Sequence, residues 1–335
     1  MATYSGEANP MRVMELASAY WDSRVIHAAH ALNVFTLVDD TPLTAAELAS
    51  KTGASERGLE LLLIGCCSLG LLYRDARDRY RNTPLADTHL VQGRPRYQGG
   101  IVKMFDEWYG PWSGLEQAVR KGAPVVEKQH DHGPEATKAY IYGMHWRGVA
   151  QAQLLSRVID GTGRKRMLDI AGGPGTFTLH MCLENDALSG TVLDLPQTLE
   201  VTKEIIGIYQ MTGRVTTQVG NYIDDKSFGS NYDIALMSSM LNQESPATLK
   251  SILTKAKDAL NPGGLMIVQE QLLDDDKNGP RLPAVIGLNQ LIHTPGGQSY
   301  CGAEIKEFME EVGFNKVHYV TLPEESPFVV ILGTK

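Results

Sequence analysis

The stretch Arg164–Leu183, RKRMLDIAGGPGTFTLHMCL, decides how the rest of the chain is read. Met167–Ala171 has the apolar character of a short buried strand, and the run from Thr176 onward reads as a helix. Between them, Gly172, Gly173 and Gly175 predict a turn almost bare of side chains. A strand, a glycine turn and a helix N-terminus together make a place where backbone N–H groups can approach a ligand closely. The spacing is not the dinucleotide fingerprint G-x-G-x-x-G.

Working outward, 335 residues are enough for two domains with separate cores. A content of 43% hydrophobic and 21% charged residues is that of an ordinary soluble globular protein. The formal net charge of -8 argues against a general nucleic-acid binder, which needs a basic face. No apolar run approaches the roughly 18 residues that span a bilayer. The opening MATYSGEANP lacks the basic and apolar regions of a signal peptide, so a cytoplasmic location is expected. Cys66, Cys67, Cys182 and Cys301 show no metal-ligand spacing, and two of them are neighbours in an apolar helix. Buried thiols are predicted there, with neither disulfides nor a metal.

Before the glycine stretch, residues 11–38 carry apolar positions at helical spacing. LTAAELASKTGASERGLELLLIGCCSLGLL then predicts two helices joined by Gly-Ala-Ser, with Thr44 and Ser55 as N-caps. LLYRD and RYRNT read as a small hairpin, which completes a winged-helix pattern. Its arginines, Arg74, Arg77, Arg79 and Arg81, admit a DNA-binding reading or a solvated wing on a dimerisation domain. An aromatic-rich helical connector follows. From Arg164 strands and helices alternate, as in a parallel α/β sheet. GTVLDLP, RVTTQVGNYIDD, YDIALMSSML and LMIVQEQLL supply further strands, and KVHYVTL with FVVILGT predicts a closing antiparallel hairpin. Ser245-Pro246 starts one helix and NPGG ends it. Others are expected at about 282–293 and 303–312.

The motif Asp169-x-Ala171-x-Gly173-x-Gly175 resembles the acidic-x-G-x-G-x-G loop of class I S-adenosylmethionine (SAM) dependent methyltransferases. With the segments around it, the chain resembles the O-methyltransferases of the plant caffeate and animal hydroxyindole type over nearly its whole length. That resemblance implies a seven-stranded Rossmann-like SAM domain over 164–335, a helical connector over 101–163 and a winged-helix dimerisation domain over 1–100. The protein would act as a homodimer, with no nucleic acid or membrane as partner.

The resemblance also implies site residues. Asp169 would hold the cofactor's amino group, Gly172, Gly173 and Gly175 would let its methionine portion approach, and Asp194 with Leu195 would meet the ribose. Asp194 stands at the carboxyl end of the second strand, where a short acceptor-only side chain can take both hydroxyls. Asn221 and Tyr222 would meet the adenine edge and face, in place of the family's Asp and Met or Phe. Ser238 replaces a lysine or other polar contact near the sulfonium. Trp112, Leu115 and Val119 match a segment that packs the connector. Trp108, Tyr140, Tyr142, Met144, His145, Arg147, Asn289 and His293 are the candidates for the acceptor pocket.

The catalytic segment departs from the pattern. The family places a histidine base after the fourth strand, whereas MLNQES puts Asn242 there, and a neutral amide accepts no proton near pH 7. Glu270 in VQEQLL matches a glutamate that orients the base, but the second acidic slot, in GGQSY, holds Ser299. A phenol of pKa about 10 is ionised to about one part in a thousand at neutral pH, a deficit of roughly 4 kcal/mol. The expected chemistry is therefore methylation of an atom already nucleophilic. A thioether is favoured, its sulfonium product stabilised by aromatics such as Trp108, Tyr142 and Trp146, and Arg147 would hold a carboxylate. In this the chain looks like the bacterial S-methyltransferases of dimethylsulfoniopropionate synthesis, which act on 4-methylthio-2-hydroxybutyrate. Two alternatives remain: O-methylation with His293 or His145 as a recruited base, and a non-catalytic SAM-binding regulator that uses its winged helix on DNA.

Overall fold

The computed structural model describes residues 9–126, 133–322 and 326–335. Most of the opening segment read above for a signal peptide, residues 1–8, lies outside the described residues. The chain divides into two compact units, Met1–Gly110 and Pro111–Lys335.

The first unit holds α1 (Pro10–Ser18), α2 (Tyr20–Ala31), α3 (Val34–Leu37), α4 (Ala45–Thr52) and α5 (Glu56–Ser68). These lead to the hairpin β1 (Leu72–Arg74) and β2 (Tyr80–Asn82), then α6 (Pro84–His89) and all but the last two residues of α7 (Gly99–Trp112). The capping residues act as expected. Thr44 accepts from Glu47 N while the Glu47 carboxylate accepts from Thr44 N, a capping box, and Ser55 accepts from Gly58 N at the start of α5. Leu48, Leu59, Leu63, Cys66, Leu72 and Tyr80 bury a small core between the helices and the wing. On the wing, Arg74 pairs with Asp78 at 3.0 Å and Arg79 with Asp75 at 3.0 Å, which neutralises half of the basic character that suggested DNA. The face of α1 and the start of α2 is instead apolar, with Met11, Val13, Met14, Leu16, Tyr20 and Trp21 exposed within the single chain.

The second unit runs through α8 (Leu115–Lys121) and the 25-residue α9 (Pro134–Val158) into β3 (Arg166–Ile170). The alternation continues with α10 (Thr176–Glu184), β4 (Ser189–Asp194), α11 (Pro196–Ile208), β5 (Val215–Val219) and β6 (Tyr232–Ser238). A 3₁₀ turn at Leu241–Gln243 precedes α12 (Pro246–Ala259), β7 (Leu260–Glu270), α13 (Arg281–His293), α14 (Gly302–Glu311), β8 (Asn315–Val320) and β9 (Val329–Thr334). The strands form one seven-stranded sheet in the order β5-β4-β3-β6-β7-β9-β8, with β9 antiparallel to both its neighbours. Period-two alternation sorts the apolar residues onto two faces. Leu168, Ile170, Ala235, Met237 and Val268 meet α12 and α14. Met167, Val192, Ile234, Leu236 and Ile267 meet α9, α10 and α11.

Two local readings change. Ala171 leaves the strand with φ 55°, which frees the chain for the turn one residue earlier than expected. NPGG does end α12, but it lies inside β7, where the pairing with β6 shifts register between Tyr232 and Ile234. The chain order reverses between β3 and β6, and such a switch point opens a crevice beyond the carboxyl ends of the strands. Among the described residues no helix is long and apolar enough to cross a membrane.

Candidate active site

The loop after β3 is shaped by its backbone. Ala171, Gly173 and Gly175 take φ of 55°, 54° and 70°, and Gly175 caps α10. At Gly172 an added Cβ would lie 2.6 Å from Cγ of Asp169 and 2.8 Å from Val192, so only glycine fits beneath the loop. Two threonines that the sequence reading passed over hold this loop. Thr178 Oγ1 donates to Asp169 Oδ2 at 2.7 Å, and Thr202 Oγ1 donates to the Gly173 carbonyl at 2.7 Å. Each sits on a helix interior where its hydroxyl resembles a surface group in sequence, so only the fold reveals the contact.

Asp169 is 1% exposed, and its Oδ1 has no hydrogen-bond partner. Burial pushes the carboxyl up to about 7; the nearby Asp194 charge adds to this, and the Thr178 hydrogen bond opposes it. A buried acceptor left without a donor calls for a cationic or N–H-bearing ligand group. Asp194 closes the other side of the loop, with Oδ2 accepting from Gly173 N at 2.8 Å and Oδ1 from Leu195 N at 2.7 Å. Each carboxylate oxygen can accept a second hydrogen bond, so both remain available to ribose hydroxyls. Burial raises this carboxyl too, against the two backbone donors. An orphaned buried carboxyl oxygen, a loop with no room for a side chain and a second carboxylate beside it fit the amino acid and ribose parts of SAM.

The titration of Asp169 yields an expected result. Its folded pKa of about 7 lies above the roughly 3.9 of an ordinary Asp carboxyl, so its contribution to stability is fully present below the lower value and lost as pH rises through the upper one. Without SAM, the wild-type melting temperature should therefore fall relative to Asp169→Asn between about pH 4 and pH 7, then run parallel. A gap that stays constant across this window in a thermal melt series would show that the carboxyl is ionised throughout.

On the side expected to meet adenine, Asn221 is held by its own turn. Its side-chain oxygen accepts from Ile223 N at 2.9 Å and its amide donates to Asp224 at 2.6 Å, so the side chain closes its own turn. Tyr222 is half-buried and its hydroxyl donates to Glu244 at 2.9 Å. Burial, then the Glu244 charge, pushes that phenol up and keeps it protonated. Lys255, also missed in the sequence, donates to the carbonyls of Tyr222, Ile223 and Asp225 and ties the loop down. Ser238 Oγ accepts from Gln269 Nε2 at 3.0 Å.

The turn that carries Asn242 is pinned from below. The Glu270 carboxylate, 2% exposed, accepts from Leu241 N at 3.1 Å and Gln271 N at 2.9 Å, with Asn242 N a further donor. Burial nevertheless raises Glu270 to about 7. Asn242 accepts from Gln290 Nε2 at 3.4 Å through its side chain and from Gln298 N at 2.9 Å through its carbonyl. Ser299 donates to the Pro283 carbonyl. On α13, Asn289 accepts from Trp112 Nε1 at 2.9 Å, and His293 Nδ1 lies 2.9 Å from the Asn289 carbonyl. A carbonyl only accepts, so a neutral His293 carries its proton on Nδ1 and leaves Nε2 as the basic nitrogen.

Helix α9 separates the acceptor candidates. Tyr140, Met144 and Arg147 share one face; Tyr140 is raised chiefly by burial and feels the charges of both Arg147 and Asp194. Arg147 is exposed and makes no ion pair or hydrogen bond among the described residues. Two other candidates on the same helix lie away from that face. His145 is 1% exposed, with Nδ1 2.8 Å from Thr176 Oγ1 and Nε2 3.2 Å from the Tyr209 hydroxyl. Burial drops it to about 4, which also removes it as a base near neutral pH. The Tyr142 hydroxyl donates to Glu204 on α11 at 3.2 Å, beside Lys138, on the opposite face from Met144. Trp108 belongs to the first unit, where its ring meets Phe105 edge-on at 5.4 Å.

Fold and site together define a class, the SAM-dependent methyltransferases. Family models described as the O-methyltransferase dimerisation domain and the O-methyltransferase domain match residues 14–92 and 115–315. A 3-hydroxy-5-methyl-1-naphthoate 3-O-methyltransferase of Streptomyces sahachiroi is 32% identical over 97% of this chain and 95% of its own. The N,N-dimethyltransferase OxyT of Streptomyces rimosus is 26% identical over 92% and 91%. A solved structure of PigF with SAH shares the fold at a TM-score of 0.90 and 22% identity, covering 98% of this chain and 100% of that one. The chain belongs to the O-methyltransferase family with an N-terminal dimerisation domain; it is an enzyme, and its methyl donor is SAM.

Proposed function

We propose that this enzyme methylates a small carboxylated acceptor whose receiving atom is already nucleophilic near neutral pH, with no general base at Asn242. The observation that carries this reading is the pinned 3₁₀ turn. Asn242 offers only an amide, and the carboxylate beneath it is engaged by backbone N–H groups. SAM supplies an electrophilic methyl group on a sulfonium. The chain's task is then alignment: Asp169, Asp194 and the glycine loop fix the donor, while Tyr140, Met144, Asn242 and Gln290 shape the space for the acceptor. Arg147, an exposed cation with no ion pair among the described residues, fits a carboxylate.

The relatives named above act at oxygen and nitrogen. That favours an aromatic acid with an amine or an acidified hydroxyl over the thioether acid expected from sequence. In this reading residues 1–100 pair two copies of the chain, residues 101–163 supply the acceptor wall and residues 164–335 hold the cofactor. The site residues named here are assigned on the same footing.

A second reading rests on the tautomer of His293, whose basic Nε2 could take a hydroxyl proton one helical turn from Gln290. A screen of hydroxy, amino and thioether acids with labelled SAM, run at saturating SAM from about pH 6 to pH 9, separates the two. The base-free reading expects little pH dependence and an Asn242→Ala loss well below the 10²–10⁴-fold typical of deleting a general base. A strong pH dependence in the wild type, together with collapse of turnover in His293→Ala, would replace it with the second reading.

A further inference from the structure

We infer that His145 is a positioning residue that locks the acceptor-facing helix α9 to the start of α10, so that the glycine loop and the acceptor wall order together. The inference goes beyond base-free transfer and rests on that reading only in taking α9 as the acceptor wall. Three elements meet at this imidazole. Nδ1 reaches Thr176, the residue that follows Gly175 and begins α10, at 2.8 Å, and Nε2 reaches Tyr209, just past the end of α11, at 3.2 Å. The Trp146 and Tyr209 rings meet it edge-on at 4.7 Å and 5.4 Å. A buried polar ring costs free energy unless its nitrogens are satisfied, and a phenyl ring would fill the same space more cheaply. Here both nitrogens are satisfied, each by a hydroxyl from a different element.

The consequence is a physical link. His145 is one residue from Met144 and two from Arg147, and its partner Thr176 is one residue from the glycine that closes the cofactor loop. Thr176 is itself 1% exposed, so its hydroxyl serves the histidine rather than solvent. When a ligand orders the glycine loop, Thr176 is fixed, and through His145 so is the segment of α9 that carries Tyr140, Met144 and Arg147. Two sites joined through a packed seam that this hydrogen bond completes bias each other's order reciprocally.

S-Adenosylhomocysteine is the probe, with the full chain and no acceptor present, so the result stands apart from any acceptor assignment. Calorimetry should show its Kd rising on the order of tenfold in His145→Phe and in Thr176→Val, with the double variant no worse than either single one. His145→Gln, whose amide can still reach Thr176, should recover most of the loss. In hydrogen exchange, the ligand should protect residues 140–147 as well as the glycine loop in the wild type, but the loop alone in His145→Phe. If His145→Phe does not fold, Thr176→Val carries both measurements, because it leaves the imidazole in place. A Kd within twofold of wild type in the single variants, additive losses, or protection of 140–147 that survives the substitution would overturn the link.

Discussion

Asp194→Ala should weaken S-adenosylhomocysteine binding by about 1.5–3 kcal/mol, roughly 10- to 150-fold, while leaving the melting temperature of the ligand-free protein nearly unchanged. The binding loss has two parts. The ribose hydroxyls lose a charged acceptor, and Gly173 loses the partner that holds its N–H at 2.8 Å in the loop. The small stability effect follows from the same burial that raises this carboxyl, since removing a partly desolvated charge relieves a cost as it removes two hydrogen bonds. Asp194→Asn should fall between wild type and alanine, because one amide face can accept from Leu195 N or Gly173 N but not from both. Calorimetry and a thermal melt on the same samples check the pair of statements. A parallel loss of melting temperature and affinity would mean that Asp194 supports the fold rather than the ligand.

The second large effect belongs to the acceptor. Arg147→Ala should raise the acceptor's KM by about 10- to 100-fold with little change in kcat, the pattern of binding energy expressed equally in ground and transition states. Arg147→Lys should retain part of the affinity, since the charge remains while the bidentate geometry is lost. The control is chemical. An acceptor analogue with the carboxylate replaced by a neutral group should lose the same factor against wild type and lose nothing further against Arg147→Ala. If the variant slows both kinds of acceptor equally, the guanidinium shapes the pocket without meeting a carboxylate.

Much of the loop after β3 was legible because backbone demands are written in residue types. Gly172 admits no side chain, Gly173 and Gly175 adopt left-handed φ, and Asp194 ends a strand ahead of Leu-Pro; each leaves a mark at a fixed offset. Thr178, Thr202, Glu244 and Lys255 left none. They act across elements, and a helical threonine or lysine reads the same in sequence whether it meets a loop carbonyl or water. The Asn221 turn has a local cause. An asparagine just before a turn can accept from the backbone two residues on, and here that contact and Asp224 together hold its side chain.

The acceptor helix was legible in part. At about 100° per residue, Tyr140, Met144 and Arg147 fall on one face, while His145 stands more than a third of a turn away and Tyr142 nearly opposite. Grouping all five by proximity in sequence joined residues that helical phase separates. Arg79 and Arg74 make the complementary case. Their partners Asp75 and Asp78 were visible in RDARDR, but the pairing that neutralises the wing depends on the hairpin's closure.

The phase of α9 has a consequence for how this enzyme could change. Its inner stripe, Ile141, His145, Ala152 and Leu155, is sealed against the sheet and the cofactor-bearing helix, so substitutions there register first as lost folding or lost donor binding. Its outer stripe carries Met144 and the exposed Arg147, while Tyr140 on the same stripe packs against the core. On the proposed reading, acceptor preference and donor binding fall mainly to different residues of a single helix. A randomised library confined to positions 144 and 147 should yield mostly folded, SAM-competent enzymes whose acceptors differ, so that specificity drifts there while the methyl donor stays fixed.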